Sequence, residues 1–144
     1  MRAALNFLRL ERREKMLLLR CLAIVAATRL GLSLLPFKVL RRWMQPADAS
    51  GDASVEVEER LAWGVHHASR LVPAATCLTQ ARAGQFLLGR MGYRAQIRVG
   101  VLQGENGRLL AHAWLISGGR IVLGGSDDDL RRYTPLADFD IGSA

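Results

Sequence analysis

Cys77 and His112 have the side-chain chemistry of a nucleophile and its base. Thr76 can cap a helix that begins at Cys77, and the unpaired N–H groups and dipole at a helix start favour the thiolate. The same N–H groups can hold the oxyanion that forms when a peptide carbonyl is attacked. The pair predicts acyl transfer, although a buried cysteine and a core histidine with a hydrogen-bonded ring also fit this pattern.

His112 lies in a predicted strand, because apolar residues alternate around it. Its side chain shares a face with Leu110 and Trp114, while the neighbouring alanines point to the other face. The separation of 35 residues from Cys77 leaves room for one helix, one strand and a turn. We therefore expect this strand to cross the start of the Cys77 helix.

The second cysteine, Cys21, lies in the middle of an apolar helix, where a cysteine behaves as a small buried hydrophobe. Two cysteines do not make a disulfide framework, and no Cys/His cluster has the spacing of zinc ligands. We therefore predict no metal and no cofactor. A reducing, cytoplasmic compartment fits this cysteine content.

The pattern of apolar residues predicts a helical first half and a strand-rich second half. Helices are predicted over residues 8–30, 36–44, 54–72 and 77–91, and strands over residues 95–99, 109–116 and 121–123. A helix followed by an antiparallel meander is an α+β arrangement. We divide the chain into a basic helical segment at residues 1–45, a linker at 46–54 and a core at 55–144, within one compact domain.

Capping residues and apolar spacing give details for these helices. Gly31 is expected to end the first helix, Ser54 to cap the third and Gly92 to close the fourth. The predicted inner faces are Leu61, Val65, Ala68 and Leu71 on the third helix, and Ala83, Phe86, Leu87 and Met91 on the fourth.

The positive charge is confined to the N-terminal segment. Residues 1–42 have a balance of +8, and residues 43–144 have a balance of −1. A membrane surface or an acidic peptide or protein suits such a segment, while the sparse aromatics and missing motifs make nucleic acid the least favoured partner. For the first helix we favour packing on the domain, then an interfacial position, then a true span, because Arg20 and Arg29 interrupt its apolar run.

Three motifs in the second half resemble the lasso-peptide biosynthesis B proteins. They are VPxATCLTQA at residues 72–81, RxGxxAxxRxGV at residues 90–101 and AHAWL at residues 111–115. The N-terminal pieces ERREKMLLLR and LLPFKVLRRW are similar to the same proteins, so the resemblance covers nearly the whole chain.

The resemblance implies a leader peptidase with a transglutaminase-like, papain-like fold, in which Cys77 and His112 are catalytic. Such proteins cut a ribosomally made precursor peptide at the end of its leader. A small leader-recognition protein holds the leader, and an asparagine-synthetase-like cyclase closes the ring on the freed amine. This chain resembles the stand-alone peptidase type, located in the cytoplasm with possible peripheral membrane contact.

At the position of a third catalytic member the sequence departs from the family, which commonly has an acidic residue where this sequence has Gly124 and Gly125. Asp127 is our candidate to orient His112, although residues 127–129 also fit a solvated loop. Gln80, one turn into the Cys77 helix, is a candidate oxyanion donor or a plain surface residue. Trp114 is a candidate support for the site.

Two other functions stay open on the sequence alone. One is a catalytically inactive scaffold or binding protein of the same fold that acts through its basic N-terminal helices. The other is a different acyl-transfer enzyme, an amidase or a true transglutaminase. Reactivity of Cys77 separates the scaffold from the enzymes, and only substrates separate the enzymes from each other.

Overall fold

The computed structural model describes residues 8–43 and 50–140. The helices are α1 (Arg12–Leu34), α2 (Phe37–Trp43), α3 (Val55–Ser69), α4 (Cys77–Arg90) and α5 (Asp127–Arg132). The strands are β1 (Gln96–Gln103), β2 (Leu109–Ser117), β3 (Arg120–Leu123) and β4 (Thr134–Asp140). The strands form one antiparallel sheet in the order β3-β2-β1-β4, with α1, α3 and α4 packed together beside it. The predicted α+β class is confirmed.

Helix α1 begins and ends four residues later than the sequence predicted. Glu11 and Glu14 form a capping box at its start, and the helix continues through Gly31 to Leu34. Gly31 is buried there because Leu40 of α2 packs directly on it, where a Cβ would overlap the leucine. The expectation that Gly31 ends the helix was wrong, since close packing rather than chain termination explains the glycine.

Helix α1 packs on α3 and α4 through one side. Leu18, Cys21 and Val25 are buried in this contact, and Gly64 of α3 lies so close that a Cβ would come within 2.7 Å of the Cys21 sulfur. The other side of α1 exposes a row of apolar residues, Met16, Leu19, Leu30 and Leu34. By length and composition alone α1 is also long and apolar enough to cross a membrane, a test that core helices and signal sequences pass as well.

The caps of α3 and α4 follow the sequence, but the inner face of α4 does not. Ser54 and Thr76 accept hydrogen bonds from backbone N–H groups three residues on, and Gly92 follows α4 with a positive φ of 86°. The buried face of α4 is made of Ala81, Arg82, Ala83, Gly84, Gln85, Leu88 and Gly89. Of the residues predicted for it, Ala83 is buried, whereas Met91 is 49% exposed, and Leu71 near the end of α3 is 58% exposed. The predicted inner face of α4 was wrong because Arg82 and Gln85, which are buried, are polar residues that the sequence pattern assigns to the surface.

Residues 50–54 are the part of the predicted linker that the structure describes, and Gly51 among them pairs with the turn after α4. Residues 46–49 of that linker lie outside the described residues. Gly51 accepts from Arg94 N–H and donates to Gly92 O, and it forms a parallel bridge with Tyr93. Ala53 is buried. The chain just before α3 is therefore held against the start of β1.

The sheet has a strand that the sequence did not indicate. β1 and β2 pair in regular register from Gln96↔Ile116 to Gln103↔Leu109. β4 pairs with β1 on its other side, with one irregularity between Val99 and Gly100. Pro135 in β4 is compatible with this edge position, because an edge strand needs no ladder donor on its free side.

The two faces of β2 have different neighbours. Leu115 contacts α4, since a Cβ on Gly84 would lie 2.6 Å from its Cδ2, and Ala113 belongs to the same core. The alternating residues His112 and Trp114 therefore point away from α4, toward Tyr133 after α5. The small alanines and Gly84 let α4 approach the sheet closely.

Candidate active site

Cys77 is the first residue of α4 and is partly exposed. Thr76 caps the helix through its hydroxyl, which accepts from Thr79 N–H at 3.4 Å. A side chain at the first helical position lies beside backbone N–H groups that have no partner within the helix. These groups favour a thiolate and can bind a developing oxyanion.

His112 lies on β2 with its ring partly buried between aromatic residues. The ring meets Trp114 edge-on, with centroids 4.5 Å apart and planes at 70°, and Tyr133 lies 5.9 Å away. Its Nε2 is 2.6 Å from the carbonyl oxygen of Gly124. A carbonyl oxygen can only accept, so Nε2 must donate this hydrogen bond.

The relation between Cys77 and His112 differs from the expected one. The strand does pack on the Cys77 helix, but Leu115 meets it at Gly84, in the middle of the helix and not at its start, and from the face opposite His112. β3 pairs with residues 115–117 of β2, so His112 lies beyond the last described β2–β3 pair. There its ring hydrogen-bonds to the Gly124 carbonyl, just after β3. Within the described residues no hydrogen bond joins Cys77 Sγ to the imidazole. The catalytic assignment of these residues stays a prediction.

Asp127 begins α5 and is exposed. No hydrogen bond or ion pair joins it to His112 in the part of the chain that the structure describes. It lines a cavity of about 640 Å³ together with Arg94, Gln96 and Arg98, and neither Cys77 nor His112 is among the described residues that line this cavity. We predicted that Asp127 would hydrogen-bond to His112. In the structure, the group that accepts from His112 Nε2 is the Gly124 carbonyl.

Asp129, in the first turn of α5, is a carboxylate whose pKa is influenced by His112. Its Oδ2 accepts from Ser126 N–H at 3.1 Å and from the Ser126 hydroxyl at 2.9 Å, completing a capping box at the start of α5. These hydrogen bonds lower the pKa of Asp129, and attraction to Arg132 and His112 lowers it further. Because Asp129 is exposed, its effect on the imidazole is screened by solvent.

The two predicted supporting residues occupy different environments. Gln80 is partly exposed in the first turn of α4, where its N–H donates to Thr76 O. Trp114 is completely buried, and its Nε1 has no hydrogen-bond partner among the described residues. Trp114 contacts both the His112 and Tyr133 rings, so it supports the histidine by packing.

Two polar links that the sequence did not reveal hold the elements around the site. Glu58 of α3 is buried, and Arg120 of β3 donates to both its carboxylate oxygens, at 2.9 and 3.0 Å. Buried Arg82 donates to Gln85, which in turn donates to the carbonyl oxygen of Ala95, the residue just before β1. The first link ties β3 to α3, and the second ties α4 to β1.

The Cys77 thiol and the His112 imidazole are side chains of the kinds used in nucleophilic, covalent catalysis. In the described part of the chain no group of three or more His, Cys, Asp or Glu side chains could hold a metal ion. A partly exposed thiol at a helix start and an imidazole with a defined hydrogen-bond partner are the parts of a nucleophile–base pair.

Comparison with known proteins identifies the family. No curated protein matches the chain, and no solved structure matches it. A family model described as the transglutaminase-like superfamily, which includes cysteine peptidases, matches residues 17–138. This match takes in most of α1 and extends into β4, and it contains both Cys77 and His112. The chain belongs to the transglutaminase-like superfamily.

Proposed function

We propose that this chain is a cysteine endopeptidase that removes the leader from a ribosomally made lasso precursor peptide. Cys77 is the nucleophile and His112 the general base. The observation that carries the proposal is the position of Cys77, partly exposed at the capped start of α4, within a chain of this superfamily. The motifs around residues 72–81 and 111–115 support the choice of substrate.

The reaction proceeds through a thioester. His112 takes the Cys77 proton, and the thiolate attacks the carbonyl carbon of the last leader residue. The C–N bond breaks as the imidazolium returns its proton to the amine of the core peptide. Water, deprotonated by His112, then attacks the thioester, which releases the leader carboxylate and restores the thiol.

Thiol and imidazole must come within hydrogen-bond reach for the first proton transfer. Catalytic hydrogen bonds are often long without substrate and tighten when it binds. The proposal therefore requires that substrate binding bring the His112 ring, which lies beyond the last pair between β2 and β3, toward the start of α4. A leader-recognition protein would bring the leader to the site, and the asparagine-synthetase-like cyclase would use the freed amine.

Cleavage of a lasso precursor peptide, measured by mass spectrometry with a leader-recognition protein present, tests the proposal. Cys77→Ala should abolish cleavage and keep the fold. Cys21→Ala is the matched control, because it removes the other thiol, which lies buried in α1. Full cleavage by Cys77→Ala would falsify the mechanism.

A second candidate function is a catalytically inactive scaffold that docks partners through its basic N-terminal helices. It is favoured by the missing Cys77–His112 hydrogen bond in the described structure and by the exposed apolar row on α1. Alkylation separates the two functions. A peptidase should show Cys77 reacting with iodoacetamide faster than a free thiol of ordinary reactivity, and a scaffold should show no acceleration.

A further inference from the structure

The hydrogen bond between His112 and Gly124 defines which ring nitrogen can act as a base. Because Gly124 O accepts from Nε2 at 2.6 Å, the proton of the neutral ring resides on Nε2. The lone pair is therefore on Nδ1. A histidine whose one nitrogen is fixed by an acceptor presents the other in a fixed direction.

The glycine is required for this carbonyl to reach the ring. Gly124 has a φ of 112°, and a Cβ there would lie 2.8 Å from both Ala113 O and Trp114 Cδ1. Only a residue without a side chain lets the backbone cross Trp114 this closely. Trp114 also holds the His112 ring edge-on, so one tryptophan packs against both the carbonyl-bearing residue and the ring.

We propose that the backbone carbonyl of Gly124 orients His112 in place of an acidic side chain, and that Nδ1 is the atom that receives the Cys77 proton. This proposal rests on the proposed cysteine mechanism and adds a positioning group to it. In the first step the S–H bond breaks and an N–H bond forms at Nδ1, giving a thiolate and an imidazolium. The Nε2–H bond to Gly124 O is kept throughout.

Asp129 has a secondary part in this arrangement. Its carboxylate is held by Ser126 and does not hydrogen-bond the ring in the described structure. The attraction between this carboxylate and the imidazole is screened, because Asp129 is exposed to solvent. Removing this charge should therefore change the reactivity of Cys77 much less than displacing the carbonyl.

The first experiment measures the His112 proton directly in the full chain. With isotope-labelled histidine, proton–nitrogen NMR should show His112 protonated at Nε2, with that proton exchanging slowly with water. Exposed His66 serves as the internal comparison, because its ring proton should exchange fast. A neutral His112 protonated at Nδ1, or an Nε2 proton that exchanges as fast as that of His66, overturns the proposal.

The second experiment moves the carbonyl. Gly124→Ala should slow iodoacetamide alkylation of Cys77 by about 10-fold or more, toward the loss in His112→Ala. Gly107→Ala is the matched control, because it also replaces a glycine of positive φ but has nothing within 4 Å of the added Cβ. If Gly124→Ala fails to fold, the NMR measurement on the unaltered chain decides.

Two carboxylate variants complete the test. Asp127→Asn and Asp129→Asn should each slow Cys77 alkylation less than about 3-fold, which corresponds to well under 1 kcal/mol. A loss in either variant that equals the loss in Gly124→Ala overturns the proposal and identifies a carboxylate as the orienting group. Alkylation does not depend on the precursor, so a chain that leaves the leader uncut but passes these tests refutes only the leader-peptidase function.

Discussion

The two cysteines of this chain show how position in a helix decides what a thiol does. Cys21 lies in the middle of α1, fully buried against Gly64, and burial raises its pKa to about 11. Cys77 is the first residue of α4, partly exposed beside unpaired backbone N–H groups. The same side chain is therefore a packing element in one helix and a candidate nucleophile in the other.

The histidines differ in the same way. His66 and His67 are exposed on α3, and the contacts of His67 in the described structure are local, a hydrogen bond to Trp63 O and ring contacts with Trp63 and His66. His112 is partly buried, contacted by two aromatic rings and hydrogen-bonded to a residue 12 positions away. A base needs a fixed ring, and only the long-range contacts provide one here.

The largest expected effect separates these histidines. His112→Ala should lower the cleavage rate by roughly 10²–10⁴-fold, the usual contribution of a general base. It should also slow alkylation of Cys77, because the thiol loses its proton acceptor, and leave Cys21 unchanged. The measurements are kcat for precursor cleavage and the alkylation rate of each cysteine by peptide mapping.

His66→Ala and His67→Ala are the controls for this change. Both residues are exposed and lie on α3, so both variants should cleave at nearly the parent rate. A loss in either variant as large as that in His112→Ala would mean that the base has been assigned to the wrong histidine.

Local signals in the sequence predicted much of the fold around Cys77. Thr76 and Gly92 bound α4 because capping depends on one residue and its nearest neighbours. Strand alternation predicted the faces of β2, since a period of two needs no distant contact. The buried state of Cys21 followed from the apolar residues around it.

Features that depend on distant contacts were missed. Glu58 and Arg120 are 62 residues apart. In the sequence each one looks like an ordinary charged surface residue, because nothing nearby in the sequence indicates the ion pair. β4 was missed because its pairing with β1 joins segments far apart in sequence. The partner of His112 is a backbone carbonyl, an atom that every residue has, so the Gly-Gly pair at residues 124–125 was its only sequence signal.

An intermediate effect is expected on stability, and it concerns Cys21. The folded pKa of about 11 lies above the value of 9.0 expected for an unperturbed thiol. The unfolded chain therefore loses this proton first as pH rises, so Cys21 contributes stability below pH 9 that is lost progressively up to about pH 11. The loss should reach about 2–3 kcal/mol, and denaturant titrations between these pH values measure it.

Cys21→Ala removes this titration and gives the comparison variant. Its unfolding free energy should fall less between pH 9 and 11 than that of the parent. Gly64→Ala tests the same packing, because its Cβ would come within 2.7 Å of the Cys21 sulfur. Gly64→Ala should be less destabilising in the Cys21→Ala background, and equal costs in both backgrounds would contradict the close contact.

The smallest expected effect is on KM and concerns the exposed side of α1, opposite the side on which Cys21 is buried. Arg13 and Arg20 are exposed on α1, which also bears the apolar row that begins with Met16 and Leu19, and Arg9 is exposed just before this helix. We expect this surface to dock the leader or its recognition protein, which would act on KM more than on the chemical step. Changing the three arginines to Glu should raise KM for the precursor on the order of 10-fold in a membrane-free assay, since exposed ion pairs contribute ~0.2–1 kcal/mol each.

The control for this change reverses the same amount of charge elsewhere. Arg60, Arg90 and Arg108 are also exposed, and their triple change to Glu should leave KM near the parent value. The kcat should stay near the parent value in both variants, in contrast to Cys77→Ala, because neither set touches the thiol. If the α1 variant processes the precursor normally but no longer binds anionic vesicles, docking of a peptide is refuted and attachment to a membrane surface takes its place, because the same charge and apolar content suit an interfacial helix.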